Sequence, residues 1–164
     1  MKTFIFLLIA TLALAGSAYA QSDTSATIAA DGTYPPGTSF NGVPLAGLEI
    51  ETGAIVAGDG SGAEGKLTVQ LLGMMNPLTG TQQIITVEAD INGGSRPGTN
   101  VAVVSGTCTI DMGDGTPPLP SVPIVATITR NDQNLGSVGL TLGATQLPTG
   151  MMNDGSMTVA DLSP

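Results

Sequence analysis

Along most of this chain, apolar and polar residues alternate. Ile85, Val87, Ala89 and Ile91 are apolar, and Thr86, Glu88 and Asp90 between them are polar. Side chains of an extended strand point to opposite faces in turn, so a period of two predicts a half-buried β-strand. Val104, Gly106, Cys108, Ile110 and Met112 line one face of a second strand, with Thr107, Thr109 and Asp111 on the other. Leu67, Val69 and Leu71 predict a third, and Ile124–Ile128 and Val138–Leu142 a fourth and a fifth. Leu48–Val56 reads as one long strand bent at Gly53, and Thr24–Ala29 and Met157–Leu162 as weaker edge strands. No window carries a helical stripe.

Turn chemistry separates these runs. Asp31-Gly32, Asp59-Gly60, Asp114-Gly115, Asp154-Gly155 and Asn92-Gly93-Gly94 are residue pairs and triplets that tolerate the positive φ of tight turns. The three prolines of Thr116–Pro120 cannot donate to a full ladder, so that segment reads as a loop or an irregular edge. Residues 21–44, rich in Pro, Gly, Ser and Thr, read as a flexible lead-in to a domain over residues 45–164. Short strands between regular turn signals predict an all-β fold, an antiparallel β-sandwich of about seven or eight strands, immunoglobulin-like or jelly-roll-like.

The chain also echoes itself. Asp31-Gly32-Thr33 precedes Pro35-Pro36, as Asp114-Gly115-Thr116 precedes Pro117-Pro118. Val43-Pro44 opens a run ending at Gly73-Met74-Met75-Asn76, and Val122-Pro123 one ending at Gly150-Met151-Met152-Asn153. As a duplication, this predicts two related sheets of one sandwich.

The first twenty residues change the setting. Lys2, the apolar run Phe4–Ala15 and the small residues of Ala18-Tyr19-Ala20 form a secretory signal with cleavage before Gln21. The run is too short for a permanent membrane span, and none is predicted in the remainder. The chain is expected to be periplasmic or secreted. After cleavage, three cations (Lys66, Arg96 and Arg130) face thirteen carboxylates, a net charge of −10. That charge repels nucleic acid and anionic membranes. Cys108 is the single cysteine, so no internal disulfide forms, and it reads as a buried thiol. Tyr34 and Phe40 are the only aromatic residues after Tyr19, which predicts an aliphatic core.

Composition also removes chemistry. The chain has no histidine and no tryptophan, which excludes the usual general base, most zinc sites and aromatic stacking platforms. Glu49, Glu51, Glu88 and Asp90 are the strand carboxylates; they alternate with apolar residues as a solvated face does. The paired methionines Met74-Met75 and Met151-Met152 read as apolar filling.

Ile110-Asp111-Met112-Gly113-Asp114-Gly115-Thr116 resembles the Asp-x-Gly-Asp-Gly turn of PKD-type immunoglobulin-like domains. The resemblance implies an extracellular sandwich serving as a spacer or adhesion module. Asp111 and Asp114 in this turn are candidate calcium ligands, offering hard oxygens beside accessible backbone carbonyls; no other cofactor is expected. These readings converge on an exported noncatalytic structural or adhesion-type protein that self-associates or meets a cell-surface partner. The alternative is a small-ligand-binding protein with an apolar cavity, and a carboxylate-only hydrolase ranks behind both.

Overall fold

The computed structural model describes residues 22–58 and 61–162. The segment read above as a secretory signal and the Asp59-Gly60 pair lie outside them. Ten strands follow one another in the described residues: β1 (Thr24–Thr33), β2 (Ser39–Phe40), β3 (Val43–Val56), β4 (Ala63–Gly73), β5 (Ile84–Gly98), β6 (Val101–Asp111), β7 (Leu119–Arg130), β8 (Gly136–Leu142), β9 (Thr145–Gln146) and β10 (Gly150–Asp161). The alternating runs all became strands, because β-branched residues at period two suit a sheet with one dry face.

The sheet does not split into two. Its order runs β1-β10-β8-β7-β6-β5-β4-β3, and β3 pairs again with β1, so eight antiparallel staves close a barrel. The two short strands are appendages, β2 on β3 and β9 on β8. The fold is therefore all-β and antiparallel, as expected, but a closed barrel replaces the expected sandwich. Alternation is the same in both architectures, and only closure distinguishes them.

Closure changes the reading of the ends. Thr24–Thr33, placed in the lead-in and partly as an edge strand, is a full stave paired with β10 on one side and β3 on the other. β10 is paired with β1 along its length but meets β8 only through Gly150–Val138 and Met151–Ser137, plus the Met157 N–H donating to the Asn134 carbonyl at 2.8 Å. That seam is the shortest in the ring. β3 keeps its register through Gly53; its register shift falls between Leu45 and Gly47.

The turn markers divide. Asp114-Gly115 does lie in a connection, with Gly115 at φ 84°. Asp31-Gly32 and Asp154-Gly155 lie within paired strands, and a bulge separates Asp31 from Gly32. Asn92-Gly93-Gly94 is likewise a bulged stretch of β5. Closing a sheet needs such breaks in register and small residues where strands crowd. A Cβ at Gly65, Gly106, Gly136 or Gly155 would run into the carbonyl oxygen of Gly53, Asp90, Thr129 or Ala29, respectively, on the neighbouring stave. Such a glycine lies in each of β4, β6, β8 and β10.

The internal echo falls at matching junctions of two four-stave halves, β1/β3/β4/β5 and β6/β7/β8/β10. Asp-Gly-Thr marks the end of β1 and the loop after β6. Val-Pro lies early in β3 and in β7; Gly73-Met74-Met75 leaves the third stave of the first half, whereas Gly150-Met151-Met152 opens the fourth stave of the second. The echo thus maps onto consecutive halves of a barrel rather than two sheets of a sandwich.

The interior is solid. Leu48, Leu67, Leu71, Ile85, Ile110, Ile124, Ile128, Leu140 and Met157 have under 2% of their surface exposed, each contributing roughly 1.5–3 kcal/mol by burial. Alanines fill the narrower places: Ala26, Ala102 and Ala126 are completely buried. Outward positions carry Thr27, Glu49, Glu51, Glu88, Asp90, Thr107 and Thr109, all exposed. This polarity is the reverse of a lipid-facing barrel.

Candidate functional site

Both ends of the barrel are stopped by side chains. At one end the β5–β6 hairpin bends over the opening, its register broken at Ile91/Gly93 and again at Ser95/Gly98. Arg96 from this hairpin pairs with Asp161 on β10 and donates to the Thr24 hydroxyl at 3.2 Å and the Thr99 carbonyl at 2.9 Å. Thr24 is buried. Beside it, Arg130 donates to the side-chain oxygens of Asn134 at 3.2 Å and Asn100 at 3.3 Å, while its buried Nε has no partner.

Toward the far end of β1, the two aromatic residues pack in. Tyr34 and Phe40 are both buried, and a Cβ on Gly150 would come within 3.4 Å of the Tyr34 ring. The Tyr34 hydroxyl is buried without a hydrogen-bond partner, and burial pushes its pKa well above the ordinary tyrosine range. Phe40 is held by a two-residue turn, Asn41-Gly42, with φ of 47° and 83°, the geometry that a tight hairpin requires.

With the interior filled, the depressions open on the outer wall. A groove of about 720 Å³ lies over β1, β3 and β4, where Gly53 and Gly65 contribute no side chain. Asp23 and Glu64 are its only charged lining, with Ser25 and Thr27 supplying hydroxyls. Asp23 is already tied to the chain, accepting from the Gly58 N–H at 3.0 Å. A second hollow of about 230 Å³ lies along Asp31, Glu49 and Glu51. There the cross-strand register places Asp154, Asp31 and Glu49 side by side on β10, β1 and β3. Like charges directly opposite one another oppose pairing, so the wall carries a concentrated negative field. The three cations do not offset it: Lys66 is paired with Asp90, and Arg96 and Arg130 are engaged across the barrel end.

The sequence-predicted residues take these places. Glu49, Glu51, Glu88 and Asp90 are exposed on the outer wall. Asp111 and Asp114 lie at the β6–β7 connection, each serving its own backbone: Asp111 accepts from the Gly113 N–H at 2.9 Å, and Asp114 from the Thr116 N–H at 2.9 Å and the Thr116 hydroxyl at 2.6 Å. Those bonds hold the Asp114 carboxyl below its ordinary pKa. Among the described residues, no group of three or more His, Cys, Asp or Glu is placed to hold a metal. Cys108 is buried in the core, and burial raises its thiol pKa, which makes it a poor nucleophile. Met152 and Met157 are core residues, whereas Met74, Met75 and Met151 stand exposed.

Sequence reasoning did not find Arg96 or Tyr34. Nothing local marks either one, because each acts through residues far away in the chain. The Asn41-Gly42 pair was a readable hairpin signal. No helix among the described residues is long and apolar enough to cross a membrane. The chain matches no protein-family model, no curated protein and no solved structure.

Proposed function

We propose that this is an exported, noncatalytic structural or adhesion-type protein that works through the outside of its barrel. The observation that carries the reading is the filled interior: aliphatic side chains occupy it, and Arg96 and Tyr34 stop its ends. A packed barrel has no chamber in which to desolvate a substrate. The carboxylates stand in water, singly or as a repelling row, with no buried partner to make one an acid and another a base. The N-terminal signal pattern and the net charge of −10 left after cleavage before Gln21 suit a protein that stays dispersed outside the cytoplasm. A second reading, small-ligand binding, draws on the outer groove of about 720 Å³, a volume within the range of ligand sites.

The test is to express the full chain in an exporting host, recover the protein and measure its binding to intact cells and cell-surface extracts. Export with saturable binding supports the proposal. Retention in the cytoplasm overturns it, as does hydrolysis of a glycan, ester or peptide panel that Glu49→Gln or Glu51→Gln abolishes.

A further inference from the structure

Four Asp-Gly pairs occur in the chain, and at one of them the fold holds the glycine nitrogen against the aspartate side chain. The Gly155 N–H donates to Asp154 Oδ1 at 2.8 Å. A nitrogen at hydrogen-bond distance from one carboxyl oxygen stands beside the carbon that carries it, the placement from which an intramolecular attack begins. The other described pairs are turned away from this chemistry. Asp114 Oδ1 reaches past Gly115 to the N–H and hydroxyl of Thr116, at 2.9 and 2.6 Å. Asp31 and Gly32 are held by ladders on both sides, to β10 and to β3. Asp59-Gly60 lies outside the described residues.

β10 leaves Asp154 room to react. Asn153, Asp154, Gly155 and Ser156 are exposed in succession, a break in the alternation of this strand. β10 pairs with β8 only through Gly150 and Met151, and its next backbone bond on that side is from the Met157 N–H to the Asn134 carbonyl at 2.8 Å. The segment between is laddered to β1 alone. Gly155 has a φ of 100°, open to glycine because it lacks a Cβ, and the missing side chain also leaves its nitrogen unshielded.

We infer that Asp154 and Gly155 form a self-modification site, at which the folded chain converts Asp154 to isoaspartate through a succinimide. The Gly155 nitrogen attacks Asp154 Cγ. The N–Cγ bond forms, and the nitrogen's proton leaves with the carboxyl hydroxyl as water. Water then opens the ring. Hydrolysis at Cγ restores aspartate. Hydrolysis at the Asp154 main-chain carbonyl breaks its bond to the Gly155 nitrogen, so the chain now runs through Cβ and Cγ and a free α-carboxylate remains. One water leaves and one returns, the mass is unchanged, and no oxidant, reductant or cofactor takes part. The new linkage lengthens the main chain by one carbon beside the Asp31–Asp154 and Ala30–Gly155 pairs, and so loosens β10 where it lacks β8. The inference stands independently of the functional reading above.

The test holds the purified, folded protein in warm neutral buffer for several weeks, beside the same chain unfolded in guanidinium chloride. Peptides are then mapped by electron-transfer fragmentation, which separates isoaspartate from aspartate at each position. In the folded protein, isoaspartate is expected at position 154 at least about tenfold faster than at 31 or 114. In the unfolded chain the three positions are expected to converge, because the placement of the nitrogen is lost. Asp154→Glu is exposed and equally charged, and is expected to abolish the signal there, since its ring would need a further carbon. An unchanged melting temperature verifies its fold. A folded protein in which position 154 does not lead overturns the inference. So does a lead of the same size in the unfolded chain, which would assign it to local sequence, or an undiminished signal in D154E. Deamidation at Asn41 or Asn92 changes the mass and is read apart.

Discussion

Arg96 on β5 is ion-paired with Asp161 at the end of β10, and three staves separate those strands in either direction around the ring. The link therefore spans the end of the barrel instead of following its wall. It fastens the stave that has only two ladder pairs to β8. Truncating Arg96 removes the bonds to Thr24 and to the Thr99 carbonyl as well. Arg96→Ala is expected to cost about 1–3 kcal/mol in urea unfolding. Asp161→Asn is expected to cost less, under about 1 kcal/mol, because that carboxylate is half in water. Equal, negligible losses for both would show that the clasp does not hold the end.

Tyr34 gives the protein a pH limit. Its folded pKa is raised by burial, so the folded state keeps the phenol proton where the unfolded state gives it up. The contribution is complete below the ordinary value of about 10 and is lost above it, at about 1.4 kcal/mol per pH unit. Tyr34 is the single tyrosine after residue 20, so phenolate absorbance reports it alone. That absorbance is expected to appear together with loss of the β-sheet circular dichroism signal. A phenolate forming near pH 10 in a folded protein would contradict the buried placement. Tyr34→Phe removes an unpaired hydroxyl and is expected to be neutral or stabilising by up to about 1 kcal/mol, whereas Tyr34→Ala costs about 3–5 kcal/mol.

The crowded glycines differ from the roomy one. A Cβ on Gly106 would strike the Asp90 carbonyl oxygen, whereas one on Gly53 meets nothing within 4 Å. Gly106→Ala is expected to lose about 2 kcal/mol or more, since backbone must move. Gly53→Ala is expected to gain up to about 1 kcal/mol from the less flexible unfolded chain. Chemical denaturation of the two variants side by side decides it, and the reverse order would contradict the close approach of β5 and β6.

Calcium is expected to leave the melting temperature unchanged at millimolar concentration, because Asp111 and Asp114 already serve their own turns. Lowering the pH acts on the same turn: Asp114 has a depressed pKa, so its bonds to Thr116 hold above the ordinary carboxylate range and weaken as the pH falls through it. A melting temperature that rises with calcium in the wild type, and not in Asp111→Asn, would establish the ion site instead.

Much of the wall was legible because alternation is a local property. The run Ile85–Ile91 and its partners specified which side chains are buried whatever the neighbours turned out to be. Cys108 and the exposed Glu49, Glu51, Glu88 and Asp90 followed from the same parity. The glycine pairs were harder to read. Asp-Gly tolerates a turn and a strand irregularity equally well, and pairing of Asp31 with both β3 and β10, and of Asp154 with β1, decided for the strand. The candidate site was barely legible: the row Asp154–Asp31–Glu49 is assembled from three distant segments by register.

The sequence by itself determined an acidic chain whose described residues alternate as strands, with an aliphatic interior and no histidine chemistry, since composition and period two act residue by residue. The tertiary structure alone decided that the sheet closes. Closure depends on β1 finding both β3 and β10, on glycines letting neighbouring carbonyls approach, and on Arg96 reaching Asp161 across the end. Those are contacts between residues far apart in the chain, and a pattern that repeats every two residues carries no record of which strand lies beside which.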